Sequence, residues 1–229
     1  MNILAIDCAC SVFSVALLNE EKMFYKETDT SMKQSELIID FINDIMGSAK
    51  LTPKDLGGIL CMAGPGSFTG LRIGYSVAKS LALSLSIPFA SVSTLECIAL
   101  YTEKQTTTFN DLIMAVIEAR KNAFFYAFFN SGKRLTPDKD GSLSQIIEDL
   151  KEYIKTKKII LTGNGASLLY DSLSAEFKDE ISLNLGRRGY AKELITIAKN
   201  NKILDNDCTA FLYSGPEYIR LSDAELNQI

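Results

Sequence analysis

The amino-acid sequence predicts an α/β protein with two similar lobes, each a mixed sheet with helices packed on it. A β-β-β-α-β-α order of segments can be read twice along the 229 residues, which indicates a duplicated unit. Short apolar runs alternate with amphipathic stretches, as expected where buried strands alternate with helices. Hydrophobic residues make up 47% of the chain and charged residues 23%, a composition typical of a globular protein.

Three short segments at the start of the chain are predicted to form an antiparallel meander. They are 2–7, 12–18 and 22–28, and small polar turns separate them. The stretch from Gln34 to Met46 repeats apolar residues at helical spacing over an unusually wide face, so we predict a helix there. A buried strand, a second helix and a last strand complete this half, at 58–63, 70–86 and 89–92.

The second half of the chain repeats this plan. Its predicted elements are paired strands at 111–117 and 122–129, a helix around 143–154, a strand at 158–162, a glycine turn at 163–165 and a helix around 189–200. The polar segment 101–110 is the predicted hinge. We therefore divide the chain into a first domain, 1–103, and a smaller second domain, 104–229, whose terminal helix could pack back on the first.

The chain contains no histidine, which excludes several kinds of active site. Zinc sites with imidazole ligands are excluded, as are serine or cysteine nucleophiles that a histidine activates. The formal net charge is −4, so the chain has no general attraction for the phosphates of a nucleic acid. If the protein acts on a nucleic acid, we expect another molecule to supply most of the binding.

The cysteines and the lack of long apolar runs predict a cytoplasmic protein. Five cysteines are an odd number and no two of them form a Cys-x-x-Cys pair, so we expect reduced thiols. The N-terminal residues do not resemble a signal peptide. No apolar run approaches the roughly 18 residues that a membrane span needs.

The segment GPGSFTGLRIG at 64–74 follows a predicted buried strand and leads into a helix. Gly64 and Gly66 allow backbone conformations that other residues avoid, and Ser67 or Thr69 can cap the helix. An open helix N-terminus attracts anions, so the turn could hold a phosphate. The alternative is a tight turn before a well-capped helix. The glycine spacing matches neither a Walker nor a Rossmann motif, which favours that alternative.

The same segment strongly resembles the signature of the TsaB family. Further matches run along the chain: ILAID and SVALL at the start, SELI in the first helix, VSTLE after Pro88, EAR at 118–120 and PEYIR at 216–220. The resemblance implies a two-lobed, actin-like ATPase fold of the RNase H-like class. It also implies the function of a non-catalytic subunit in tRNA N6-threonylcarbamoyladenosine synthesis, which dimerises with and activates the catalytic TsaD-type paralogue.

The resemblance also implies other partners. These are a TsaE-type small ATPase, tRNA bound through the complex, and a second copy of the chain when it is alone, with no membrane. We expect this chain to have no cofactor of its own. Whether an ATP or ADP binds at the interface with the catalytic paralogue stays an open alternative. A stand-alone actin-like ATPase or small-molecule kinase is the alternative function. A peptidase is disfavoured, because the chain has no histidine and no recognisable Ser-Lys arrangement.

Departures from the catalytic paralogue predict that this chain has no catalytic residue and no metal site. A His-x-x-x-His pair binds metal in that paralogue, and the matching positions here are Thr94 and Ile98. The phosphate turn after the first strand reads DCACS at 7–11 and has lost hydroxyl groups, while the turn at 117–121 lacks the paralogue's glycines. The remaining candidates for cofactor binding are Asp7, Ser11, Gly64 and Gly66. For the aspartate, a turn cap is favoured over a metal ligand.

The first two helices carry the predicted partner interface. The second helix has a small residue at every fourth position from Gly70 to Ala82, and such a face lets another backbone approach closely. The first helix has more apolar residues than one core face needs. The predicted contact residues are Leu37, Ile38, Phe41, Gly70, Gly74, Tyr75, Ala78 and Ala82. Two helices buried in the chain's own core would produce the same pattern. The Ala78→Arg variant distinguishes the two cases, since at an interface it should impair association more than folding.

Overall fold

The structure, a computed structural model, describes residues 1–29, 33–106, 111–119, 123–206, 208, 211 and 213–219. Its contacts divide the chain into two compact units. The first unit combines Met1–Cys97 with Arg188–Glu217, and the second is made mainly of Ile98–Arg187. None of the helices in the described part of the chain has the length and apolar character that a membrane span requires.

The first unit is built on a five-stranded mixed sheet with the strand order β3-β2-β1-β4-β5. Its strands are β1 (Ile3–Asp7), β2 (Val12–Asn19), β3 (Lys22–Asp29), β4 (Gly58–Gly64) and β5 (Phe89–Ser93). The first three form the predicted antiparallel meander, and β4 and β5 run parallel to β1. Every residue of β1 and β4 is buried, so both faces of the sheet centre are covered.

Two helices cover one face of this sheet, α1 (Gln34–Ala49) and α2 (Phe68–Leu85). Both lie where the apolar periodicity predicts them. Alternate residues of β1 and β2, among them Leu4, Ile6 and Phe13, form one core cluster with the buried side chains of the two helices. The wide apolar face of α1 is therefore largely used within the chain.

The predicted hinge at 101–110 is wrong over its first half. A helix, α3 (Thr94–Gln105), continues through 101–105, and residues 107–110 lie outside the described part of the chain. The polar Thr102 points inward there, and its buried hydroxyl shares a 2.7 Å hydrogen bond with the hydroxyl of Thr162. The polar composition of this segment therefore did not predict a packed helix. A buried hydroxyl is tolerated there because a hydrogen bond inside the protein satisfies it.

The second unit repeats the topology of the first. Its strands are β6 (Leu112–Glu118), β7 (Ala123–Asn130), β8 (Lys133–Arg134), β9 (Lys139–Ser142), β10 (Ile159–Thr162) and β11 (Ile181–Asn184), in the order β11-β10-β6-β7-β8 with β9 also paired to β7. Antiparallel strands lie on one side of β6 and parallel strands on the other, as they do around β1. Its helices are α4 (Leu143–Tyr153), α5 (Ala166–Ser172) and α6 (Ala175–Lys178). The short elements β8, β9, β11, α5 and α6 have too few residues to show a period, and the sequence did not predict them.

The last helix, α7 (Ala191–Asn200), belongs to the first unit and contacts β1, β2 and β4. Helical spacing predicted four apolar positions in this helix. All four are buried in the structure: Ala191, Leu194, Ile195 and Ala198. A segment that follows Ile98–Arg187, the main part of the second unit, thus completes the core of the first.

Candidate functional site

The glycine-rich turn ends in a capped helix. Ser67 is the N-cap of α2, and its Oγ accepts a hydrogen bond from the Gly70 amide at 3.2 Å. Of the two caps that the sequence allowed, Ser67 and Thr69, the structure uses the first. This bond satisfies one of the amides that an uncapped helix would present to an anion.

The turn packs directly against the segment that follows β1. The Ser67 amide donates to the Ala9 carbonyl at 2.7 Å. A Cβ on Gly66 would lie 2.4 Å from that carbonyl oxygen, and a Cβ on Gly70 would lie 2.0 Å from the Cys8 carbonyl oxygen. Both glycines are therefore required by a close approach of two backbones. The contacts support the tight, capped turn over the phosphate cradle.

Gly64 has a different requirement. Its φ is +117°, a conformation that residues with a Cβ rarely adopt. The Glu217 amide donates to the Ala63 carbonyl at 2.7 Å, and a Cβ on Gly64 would lie 2.8 Å from the Glu217 carbonyl oxygen. The PEYIR segment singled out in the sequence therefore contacts the glycine-rich turn through Glu217, while Arg220 lies outside the described residues.

Asp7 uses both carboxylate oxygens within the chain. Oδ1 accepts the Ala9 amide at 3.0 Å, and Oδ2 accepts the Tyr190 amide at 2.7 Å. The side chain is buried, and burial raises the pKa of Asp7 from 3.8 to about 6, although the two amide bonds oppose the rise. The bond from the Ala9 amide corresponds to the turn-capping role that the sequence favoured. The bond from the Tyr190 amide joins Asp7 to a distant part of the chain.

Asp7 belongs to a row of three acceptors that crosses the sheet. Asp7 pairs in register with Ser14 of β2, and Ser14 pairs with Glu27 of β3. Ser14 Oγ accepts the Ala191 amide at 3.2 Å, and Glu27 accepts the Gly189 amide at 2.8 Å. Three consecutive amides at the N-terminus of α7 are thus satisfied by three neighbouring strands. Sequence reasoning missed this row, because the partners are more than 160 residues apart.

Two of the groups at the candidate cofactor site have hydrogen-bond partners within the first unit. The oxygens of Asp7 and the amide of Ser67 are engaged by the chain itself, and the turn at 7–11 touches the glycine-rich turn. Ser11 is partly exposed, and no other residue of the turn at 7–11 carries a hydroxyl group. Burial raises the pKa of Cys8 and of Cys10, so neither thiol is a reactive thiolate.

The two positions that match the paralogue's metal ligands lie in the core. Thr94 and Ile98 are one turn apart at the start of α3, and both are buried, with exposed fractions of 0% and 1%. In the turn at 117–121, Ile117 is buried and Glu118 is exposed, whereas residues 120 and 121 lie outside the described part.

The structure buries most of the predicted interface residues in the core of the first unit. Ile38, Phe41, Gly70, Gly74, Tyr75, Ala78 and Ala82 are buried in the first unit, and of the eight predicted residues Leu37 alone is partly exposed. Ala78 is completely buried, and a Cβ on Gly74 would lie 3.5 Å from Cys8 Cβ. The small residues let α2 approach the sheet of its own chain, which is a core function. The interface on these two helices stays a prediction.

A groove of about 330 Å³ lies between α1 and α2. The groove is lined by Ser35, Ile38, Ile39, Arg72, Ile73, Ser76 and Val77. The Ile39 side chain is 52% exposed. The Arg72 guanidinium lies 3.9 Å from the centre of the Phe68 ring, a stacking contact that orients its charge at the groove.

The burial of Asp7 predicts a pH-dependent difference from the Asp7→Asn variant. Because the folded-state pKa lies above the value of 3.8, the folded state binds the proton more tightly than the unfolded state. The free energy of unfolding of the wild type, relative to the variant, should therefore fall as the pH rises from about 4 to about 6, by up to about 3 kcal/mol. Urea unfolding of both proteins across this pH range measures the difference in their free energies of unfolding. A difference that rises with pH would contradict the account.

Comparisons with known proteins agree along the whole chain. A family model described as TsaD, tRNA N6-adenosine threonylcarbamoyltransferase, matches residues 28–228. The tRNA threonylcarbamoyladenosine biosynthesis protein TsaB of Bacillus subtilis is 30% identical over 100% of this chain and 98% of that protein. The protein of the same name from Escherichia coli is 32% identical over 56% of this chain and 54% of that protein.

A solved structure from Pseudomonas aeruginosa, described as similar to the peptidase YeaZ, matches the fold with a TM-score of 0.80. It covers 96% of this chain and 99% of that chain at 19% identity, which bears on the fold alone. Together with the repeated strand order, it confirms the predicted α/β class, with a mixed sheet and helices in each unit. Because the match to the Bacillus relative extends over both chains, the sequence and the fold lead to one conclusion: this chain belongs to the TsaB family.

Proposed function

We propose that this chain is the accessory, non-catalytic subunit of a tRNA threonylcarbamoyladenosine synthesis complex. It dimerises with a TsaD-type catalytic paralogue and activates it. Family membership supports the pathway, since the Bacillus relative carries that role in its name. The groove between α1 and α2 is the observation that carries the mechanism, because it offers a partly apolar surface to a partner.

The groove has the composition of a docking surface. Ile39 is exposed, Ile73 and Val77 are partly buried beside it, and Arg72 adds an oriented charge. Covering apolar surface of this kind stabilises a complex by about 25 cal/mol per Å² of area removed from water. Binding at α1 and α2 can favour the active arrangement of the paralogue without chemistry in this chain.

The wider assembly follows from the same proposal. The net charge of −4 suits a subunit that leaves most of the tRNA binding to its partners. In this proposal a TsaE-type small ATPase and tRNA join the complex, and two copies of this chain pair when the paralogue is absent. An ATP or ADP would bind only with the paralogue present. The five cysteines, all free and buried, suit a cytoplasmic location.

Reconstitution with purified components tests the function. Leaving out this chain should reduce threonylcarbamoyladenosine, measured by mass spectrometry of digested tRNA, to the level without the paralogue. Adding the chain back should restore it. Full modification without the chain would contradict the proposal. ATP turnover by the chain alone at about 1 per second, an ordinary enzymatic rate, would favour the stand-alone ATPase.

A further inference from the structure

The segment Tyr213–Glu217, here named the C-terminal strap, crosses the end of β4 at two attachment points. The Glu217 amide donates to the Ala63 carbonyl at 2.7 Å. The Lys79 ammonium group, on α2, donates to the Ser214 carbonyl. Within the described residues, a backbone bond and a charged bond thus join the strap to the first unit.

The strap lies where an α/β sheet normally receives its ligand. β4 runs parallel to its neighbours and leads through the glycine-rich turn into α2, and ligands of such sheets bind outside the carboxyl ends of the strands. At this end, the Glu217 carbonyl closely approaches Gly64. The strap thus covers the point where the strand becomes the turn.

Few apolar contacts hold the strap in place. The Tyr213 side chain is 87% exposed, Ser214, Gly215 and Glu217 are also exposed, and Pro216 is partly buried. Segments with little buried apolar surface open locally at low free-energy cost, while the core around them stays folded. The strap has the properties of such a segment, whereas the strand beneath it is completely buried.

Lys79 is positioned to control this opening. Its ammonium group lies 5.7 Å from the centre of the Tyr75 ring and 5.8 Å from that of Phe89, so the aromatic residues of the core fix the direction of the side chain. That direction places the charge against the Ser214 carbonyl. A cation that is oriented in advance loses little entropy when it makes this bond.

We propose that the C-terminal strap is a lid over the carboxyl end of β4 and that Lys79 is its latch. The strap opens as a local unit while the sheet and α2 stay folded. Access to Gly64 at the end of β4 requires this opening. The inference does not depend on the proposed function, because it concerns one chain in isolation.

The Lys79→Met variant tests the latch, since methionine keeps the unbranched apolar stem and removes the charge. Hydrogen exchange of the Glu217 amide, followed by NMR in the full-length protein, should become about tenfold faster, as expected for the loss of a hydrogen bond to a charged group. Amides of β4 and α2 should keep their wild-type rates. Lys54→Met, at an exposed lysine outside the strap, is the matched control and should change none of them.

Limited proteolysis gives an independent measurement of the same opening. Chymotrypsin cleavage after Tyr213 should accelerate in Lys79→Met by a factor similar to that of the Glu217 amide, because cleavage tracks the population of the open form. An unchanged exchange rate at Glu217 would overturn the latch. Equal acceleration throughout β4 and α2 would overturn the lid, since Lys79 would then support the whole unit.

Discussion

The Ala78→Arg variant is expected to lose the folded first unit. Ala78 is completely buried between α2 and the sheet, so the guanidinium would enter a close-packed core without a partner for its charge. A substitution of this kind lowers the free energy of unfolding by more than about 4 kcal/mol, which is a large part of the stability of an ordinary domain. Circular dichroism and urea unfolding measure the loss.

Ser80→Arg is the matched control for this variant. Ser80 lies two residues further along the same helix and is exposed, so the same side chain should change stability by less than about 0.5 kcal/mol. If Ala78→Arg folded normally and lost only its association, the small-residue face would be an interface after all. Ala78 would then face a partner in the folded protein and not the sheet of its own chain.

The Ile39→Glu variant is expected to keep its fold and lose its partner. The Ile39 side chain is half exposed at the groove between α1 and α2, so a carboxylate there remains hydrated in the free protein. In a complex the carboxylate would be buried against apolar surface. Loss of such a contact costs about 2 kcal/mol of binding or more, which corresponds to a weakening of about 30-fold.

Calorimetry with the purified TsaD-type paralogue measures this effect, and tRNA modification in the reconstituted system should fall with it. Leu168→Glu is the matched control, because Leu168 is 41% exposed on α5 of the second unit and does not line the groove. Wild-type binding and modification by Ile39→Glu would place the interface outside the groove. The family assignment would be unaffected by that result.

The candidate site was less predictable than the fold. Ser67 as a helix cap follows from local spacing, because the capped amide is three residues away. The role of Asp7 does not follow from spacing, because Tyr190, its second partner, returns to the sheet after the main segment of the second unit, Ile98–Arg187. The small residues of α2 are ambiguous for another reason. Their spacing shows that a backbone approaches closely, but not whether it belongs to a sheet of the same chain or to another protein.

The sequence by itself determined the strand meander, the two helices of the first unit, the duplicated topology and, through GPGSFTG, the family. These features depend on local periods of two and of 3.6 residues or on a contiguous motif, so neighbouring residues suffice to specify them. Only the tertiary structure decided that Ala78 faces the sheet, that Asp7 holds α7, and that the C-terminal strap crosses β4. Each of these contacts joins residues that are far apart in the chain. Their partners are chosen by the packing of the whole unit, which no local pattern records.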